Sequence, residues 1–216
     1  MSGDDEIYIQ LSRVGKALSN PLRLRLLDRL ETGEHTVEEL AEAAGLPVKN
    51  TSAQLQQLRA AQLVQSRREG VHIHYRIADS ATSAFLGAFA DYAERSLAEL
   101  RDELAELNRR RPPMESVDVA ELDRRLREDD VVLVDVRSAD DYARGHVEGA
   151  LSIPVADLDR RIAELPESAD VVAYCSGPYC LASADAVAVL AGLGRSARRV
   201  DGGITAWVRS GRPLVV

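Results

Sequence analysis

The sequence predicts two domains: an all-α N-terminal half carrying a β-hairpin, and a C-terminal α/β half built on a mostly parallel sheet. Three observations predict this. The chain has 216 residues, more than the roughly 100–150 of a typical domain. Apolar residues recur at helical spacing through the first half, whereas the second alternates short β-branched runs with helical ones. Between the halves lies Asn108-Arg109-Arg110-Arg111-Pro112-Pro113, a charged diproline segment of extended, semi-rigid character. The expected division is residues 1–108, a linker at 109–114, and residues 115–216.

Hydrophobic residues make up 45% of the chain and charged ones 29%, as in globular proteins, and no apolar run approaches the roughly 20 residues of a bilayer span. The acidic start, Met1-Ser2-Gly3-Asp4-Asp5-Glu6, lacks the basic stretch of an export signal. The expectation is a cytoplasmic protein with no membrane partner. Only two cysteines occur, Cys175 and Cys180, too few and too close for a disulfide scaffold. That pattern points to reactive thiols or a metal site. The net charge of −8 argues against unspecific nucleic-acid binding by the whole molecule, yet residues 47–77 set Lys49, Arg59, Arg67, Arg68 and Arg76 against a single acid, Glu69. Charge acts locally, so this one basic stretch is where nucleic acid would bind.

The elements follow in order. Asn20-Pro21 supplies an N-cap and a first-turn proline for a helix through about Glu31, and Thr36-Val37-Glu38-Glu39 is a capping box for a second through Ala44. Gly45-Leu46-Pro47 turns into a third, from Val48 to about Ala61. Two short helices joined by a tight glycine-containing turn form a helix-turn-helix. On the third helix Val48, Thr51, Leu55 and Leu58 should face inward, leaving Lys49, Asn50, Gln54 and Gln57 outward with Ser52 and Arg59 flanking. Amides there suit adenine. Val64 to Ile77 reads as a hairpin turning at Glu69-Gly70, in which Val71, Ile73, Tyr75 and Ile77 alternate with His72, His74 and Arg76, giving a wing with a cationic face. Ser80 to Leu107 reads as one long helix. Its Phe85/Phe89 pair and its seam of Leu97, Leu100, Leu104 and Leu107 suit packing against a second copy, although the seam also suits packing on the C-terminal half.

This half resembles the ArsR/SmtB family of winged-helix repressors. The resemblance rests on Ala17-Leu18-Ser19-Asn20-Pro21-Leu22-Arg23, on Leu55 to Val64 and on Arg68-Glu69-Gly70, and covers about residues 7–105. It implies a homodimer through helix 80–107 on double-stranded operator DNA, contacted by Lys49, Asn50, Ser52, Gln54 and Gln57 and, from the wing, by Arg67, Arg68, His72 and His74. Ala53 and Gln54 stand where members usually carry a basic residue and a histidine, and Gln62 where they carry glycine, so the operator sequence does not transfer. The helix from Val37 to Ala44 and the dimer helix hold no cysteine or histidine, so the family's usual metal sites are expected to be missing. A metal-binding His72/His74 pair is the lesser reading of those two residues.

In the second half Val131 to Val134 is a short buried strand running into Asp135-Val136-Arg137, and Asp170 to Tyr174 another running into Cys175. The segment Ser176-Gly177-Pro178-Tyr179-Cys180 then leads into a helical run, Leu181 to Leu190. Such strand-to-helix loops turn N–H groups inward and stabilise a thiolate or a bound anion. The ordering resembles rhodanese domains over about residues 115–216: Asp135-Val136-Arg137, Tyr142 to Ala150, Ile153-Pro154, the six-residue loop from Cys175, and Gly202-Gly203-Ile204 with Trp207 and Pro213. By that resemblance Cys175 is the nucleophile that accepts sulfane sulfur, and the loop from Ser176 through Gly177, Pro178 and Tyr179 is its cradle, Pro178 giving no N–H. Cys180 stands where thiosulfate-using members commonly place an arginine, which makes it a candidate resolving thiol; its bland alternative is a small buried apolar residue. Asp135 and Arg137 are expected to organise the loop, and His146 to be structural.

The sequence thus predicts a regulator, most simply a repressor, whose operator affinity responds to persulfide, polysulfide or oxidant modification of Cys175 with Cys180. No cofactor or bound metal is expected. The competing readings are a sulfurtransferase whose DNA-binding half targets or regulates it, and a sensor in which the thiol pair binds arsenite or another soft metal.

Overall fold

The computed structural model describes residues 3–109 and 114–216, so most of the expected linker lies outside the described residues. The chain forms two compact units, one up to Ser83 and one from Ala84 onward.

The first unit begins with a helix that the sequence reading did not include, α1 (Gly3–Leu18). Then follow α2 (Pro21–Leu30), β1 (His35–Thr36), α3 (Val37–Ala44), α4 (Val48–Ala60), β2 (Val64–Glu69) and β3 (His72–Ile77). The local signals act as expected. Asn20 Oδ1 accepts from the Arg23 N–H at 3.2 Å, and Thr36 and Glu39 form the reciprocal box. Gly45 takes φ +66° to end α3, a conformation that glycine adopts without a steric cost. The wing is three-stranded, in the order β1-β3-β2 and antiparallel. Leu26, Leu27, Leu30, Leu40, Leu55, Leu58 and Tyr75 form its buried interior.

Two corrections concern facing. Val48 is exposed, because it opens α4 where no turn precedes it to cover it, while Thr51, Leu55 and Leu58 are buried. Of Val71, Ile73, Tyr75 and Ile77 on the wing, Tyr75 alone is fully buried; Val71 and Ile73 are exposed at the hairpin end, beyond the reach of the core.

The expected single helix from Ser80 to Leu107 is two helices, α5 (Ser80–Ser96) and α6 (Ala98–Arg109). The helical run is interrupted at Leu97. Arg101 Nη1 donates to the carbonyls of Arg95 at 2.7 Å and Glu94 at 3.4 Å. A side chain that reaches into the helical carbonyl ladder disturbs its regular i→i−4 pattern.

In the second unit β4 (Ser116–Val117), α7 (Val119–Arg127), β5 (Val132–Asp135), α8 (Ala139–Arg144), β6 (Leu151–Ser152), α9 (Leu158–Arg161), β7 (Val171–Tyr174), α10 (Ala182–Gly192), β8 (Ala197–Val200) and α11 (Gly203–Arg209) follow α6. The five strands pair in the order β4-β8-β7-β5-β6, every pairing parallel. Successive residues of β7 feed opposite sides: Val172 and Tyr174 pack with Leu133, Ile204 and Trp207, whereas Val171, Ala173 and Cys175 pack with Val134, Ile153, Leu158 and Leu190. A strand covered on both faces reads as an unbroken apolar run, which is why β7 was visible in the sequence.

Candidate functional site: a buried thiol and a charge-balanced wing

The end of β7 delivers Cys175 into the layer beneath α10, 1% exposed. Its sulfur lies 3.3 Å from Ser183 Oγ, 3.7 Å from the Cys180 carbonyl and 4.0 Å from the Gly177 carbonyl. The contact with the Cys180 thiol, together with burial, pushes the Cys175 thiol well above the ordinary cysteine range, while the Ser183 hydroxyl and amide pull it down. Burial and the Cys180 contact thus favour the neutral thiol at Cys175, and the Ser183 groups favour its thiolate.

The loop itself is graded in exposure. Gly177 is buried, Ser176, Pro178 and Cys180 are half-buried, and Tyr179 is 50% exposed. The Cys180 N–H is spent on the Gly177 carbonyl at 3.1 Å, and α11 clamps the start of the loop through Ile204 N–H to Cys175 O at 2.9 Å and Thr205 N–H to Ser176 O at 3.2 Å. Thr205 Oγ1 also donates to Ser176 O at 2.6 Å.

Asp135 and Arg137 sit at the end of β5. Arg137 Nη2 donates to Asp135 Oδ2 at 2.6 Å and to the Gly145 carbonyl at 2.7 Å. Its guanidinium lies 5.7 Å above the Tyr174 ring, and Tyr174 Oη accepts from Val147 N–H at 3.2 Å. The pair ties β5, β7 and the 145–147 segment together rather than facing the sulfur. His146 stacks on Tyr142 with ring centroids 3.7 Å apart, and its Nδ1 lies 3.1 Å from the Tyr142 carbonyl.

Sequence reasoning missed Ser183. A serine one turn into an apolar helical run looks like a solvent-facing or space-filling residue, yet it is 2% exposed and is the hydroxyl nearest the sulfur. Removing that hydroxyl takes away a donor to the thiolate. In Ser183→Ala the midpoint of the pH profile of Cys175 alkylation, measured by mass spectrometry with Cys180→Ala as background, is expected to move to higher pH. A midpoint that stays put or falls would remove Ser183 from the site.

In the first unit Lys49, Asn50 and Gln57 are exposed on α4, and Ser52 and Gln54 are half-buried. The expected cationic wing is corrected to a charge-balanced one. Arg67 is paired with both Glu34 and Glu69. His74 lies 3.6 Å from Glu34 and 3.8 Å from Glu69, and His72 3.8 Å from Glu38. Glu34 and Glu38 arrive from the β1–α3 segment, which a count over residues 47–77 omits. Arg68 donates to the Gly70 carbonyl at 3.1 Å.

Among the described residues no helix is long and apolar enough to cross a membrane, and no three His, Cys, Asp or Glu side chains gather in a metal-binding group.

Two family descriptions match separate parts of the chain. Residues 18–67 match a helix-turn-helix domain family and residues 118–210 the rhodanese-like domain family. The HTH-type transcriptional regulator Rv0324 of Mycobacterium tuberculosis is 40% identical over 205 residues, 95% of this chain and 90% of that protein. A sulfurtransferase of Allochromatium vinosum is 37% identical over 100 residues, 46% of this chain and 92% of its own. Among solved structures, the homodimeric winged helix-turn-helix DNA-binding fragment from Mycobacterium bovis is 37% identical, covering 46% of this chain and 92% of that one with a TM-score of 0.43. With Rv0324 40% identical over nearly the full length and both halves matched, this chain belongs to the ArsR/SmtB-type HTH transcriptional regulators that carry a C-terminal rhodanese-like domain.

Proposed function

We propose that this regulator binds operator DNA as a homodimer, and that sulfane-sulfur or oxidant modification of Cys175, shared with Cys180, changes its operator affinity. The observation that carries the reading is the pairing of a buried loop thiol with a second thiol five residues on, in a chain that also holds a helix-turn-helix. The Cys175 thiolate attacks a polysulfide, whose S–S bond breaks and whose remainder leaves as the shorter anion, and Cys175 becomes a persulfide. The Cys180 thiolate then attacks the Cys175 sulfur of that persulfide and expels hydrosulfide, leaving a Cys175–Cys180 disulfide.

DNA contact is assigned to Lys49, Asn50, Ser52, Gln54 and Gln57 on α4 and to Arg67, Arg68, His72 and His74 on the wing. Phosphate must displace Glu34 and Glu69 from Arg67, so the wing contributes less than a free arginine would. A partner copy is supported by exposed apolar side chains at helical spacing: Phe85, Phe89 and Tyr92 on α5, and Ile7, Tyr8 and Leu11 on α1. Leu100 and Leu104 of the expected seam instead line, with Gly87 and Asp91, a cleft of about 470 Å³ shared with Pro178 and Tyr179. That cleft gives a change in the cysteine loop a direct route to α5.

The test is fluorescence anisotropy of the protein's own promoter DNA at fixed salt, with reduced and with polysulfide-treated protein. A change of at least about tenfold, a coupling near 1.4 kcal/mol, is expected, and it should vanish in Cys175→Ser. Unchanged affinity would exclude a sulfur sensor. A second reading, a sulfurtransferase positioned by its DNA-binding half, is favoured by the likeness of residues in the C-terminal half to the Allochromatium vinosum sulfurtransferase. It requires turnover of thiosulfate or persulfide through Cys175 with DNA binding indifferent to thiol state.

A further inference from the structure

We infer that the turn from Pro178 to Cys180 is a flap over Cys175, which has to lift off the sulfur before a sulfur donor can reach it; the inference rests on the reading of Cys175 as the modified thiol. Cys175 is 1% exposed. Its sulfur lies among the Ser183 hydroxyl and the carbonyls of Cys180 and Gly177. Sulfur exchange needs the attacking sulfur to meet the donor sulfur directly, so its rate depends on access. A persulfide then adds an atom about 2 Å beyond the first. Cys175 packs with Val134, Ile153 and Leu190, in an interior whose close packing leaves little slack for another sulfur.

The bonds around the loop show which part can move. Its first residues are pinned to α11: Cys175 O accepts the Ile204 N–H at 2.9 Å, and Ser176 O accepts the Thr205 N–H at 3.2 Å and its hydroxyl at 2.6 Å. Beyond the loop, the Leu181 carbonyl accepts the N–H groups of Ala184 and Asp185 at 2.9 and 3.0 Å, which anchors the entry to α10. Between these anchors the chain turns back through the Cys180 N–H bond to the Gly177 carbonyl at 3.1 Å. The two carbonyls nearest the sulfur are those at the ends of this turn, so lifting it uncovers the sulfur. Pro178 is half-buried and Tyr179 50% exposed. Both line the cleft of about 470 Å³ with Ala84, Gly87 and Ala88 of α5, whose small side chains leave the space into which the turn moves.

The flap gates the thiol and also carries its state outward. Reaction at Cys175 proceeds at the rate of the uncovered thiolate multiplied by the fraction of time the flap is open. A persulfide that does not fit beneath the closed turn favours the open one, which occupies the cleft beside α5. Pro178 sets the stiffness of this device, because its ring fixes φ at one of the three residues that move.

The experiment follows full-length protein in a Cys180→Ala background by two readouts: alkylation of Cys175 by iodoacetamide, read by mass spectrometry, and hydrogen exchange of the residue-180 amide, read by NMR. Pro178→Gly frees φ in the open turn and is expected to raise both rates by the same factor, roughly two- to fivefold. Pro178→Ala is the milder substitute if the glycine variant loses its cooperative melt, with a smaller rise in both. Thr205→Val, which weakens the α11 end of the loop, should speed alkylation less than Pro178→Gly does. Unchanged rates in the Pro178 variants overturn the inference, as does faster alkylation without faster exchange. A larger acceleration in Thr205→Val also overturns it, since the loop would then open from the α11 side. Matched acceleration in Pro178→Gly together with operator affinity indifferent to polysulfide would uphold the flap and sink the sensor reading alone.

Discussion

Replacing Asp135 with alanine is expected to cost about 3–5 kcal/mol, the range for removing one partner of a buried ion pair. The side chains of Asp135 and Arg137 are 0% and 2% exposed. Asp135 Oδ1 also accepts the Arg137 backbone N–H at 3.0 Å, so its loss removes a partner from an amide as well as from the guanidinium. Arg137 still meets the Gly145 carbonyl, the face of Tyr174 and the charge of Asp141, but it loses the carboxylate bonded directly to it away from water. Against a total stability of roughly 5–15 kcal/mol for a domain of this size, the variant would be largely destabilised. Urea denaturation with separate probes of the two halves measures it, the single Trp207 reporting on the rhodanese-like half. The double variant Asp135→Leu/Arg137→Met should recover much of the loss, since it leaves no orphaned charge. A loss below about 1 kcal/mol in the single variant would mean that water reaches the pair.

What the sequence made legible was local or periodic. Asn20-Pro21, the Thr36–Glu39 box and Gly45 act within a turn of themselves, so α2, α3 and the entry to α4 could be placed by inspection. The unbroken apolar run Val171 to Tyr174 announced a strand covered on both faces, and therefore located Cys175 at its end. Other misses depend on a residue distant in sequence. Arg67 looked free because Glu34 lies 33 residues before it. The contact of Arg23 with the Gln54 amide oxygen, 31 residues apart, could not be read from spacing. The interruption at Leu97 is a local miss, tied to the direction of the Arg101 side chain, which spacing does not encode. The helix α1 is a different case, because Ile7, Leu11, Val14 and Leu18 recur at helical intervals and their pattern was available to be read.

Gly203→Ala should be the most damaging single change near the thiol that alters no reactive group, at roughly 2–5 kcal/mol. Gly203 has φ +58°, and a Cβ there would lie 2.5 Å from the Cys175 carbonyl oxygen and 3.0 Å from the Gly177 nitrogen. Both are backbone atoms, so no rotamer change relieves the overlap. The movable parts are α11 and the cysteine loop, and they are joined by the Ile204 N–H bond to that same Cys175 oxygen. Relief of the clash therefore works against the clamp that seats the nucleophile. Gly149 provides the control: its φ is +80°, but a Cβ there meets nothing within 4 Å, so Gly149→Ala bears only the backbone term, on the order of 1–2 kcal/mol. Thermal melts of the two variants, read beside the rate of Cys175 alkylation, separate strain from contact. A larger loss and an altered alkylation rate in Gly203→Ala alone mean that the approach of α11 to the loop sets the geometry around the sulfur. Equal losses with equal alkylation rates would mean that the loop holds its shape without α11, and would leave Ser183 and Cys180 as the groups that seat Cys175.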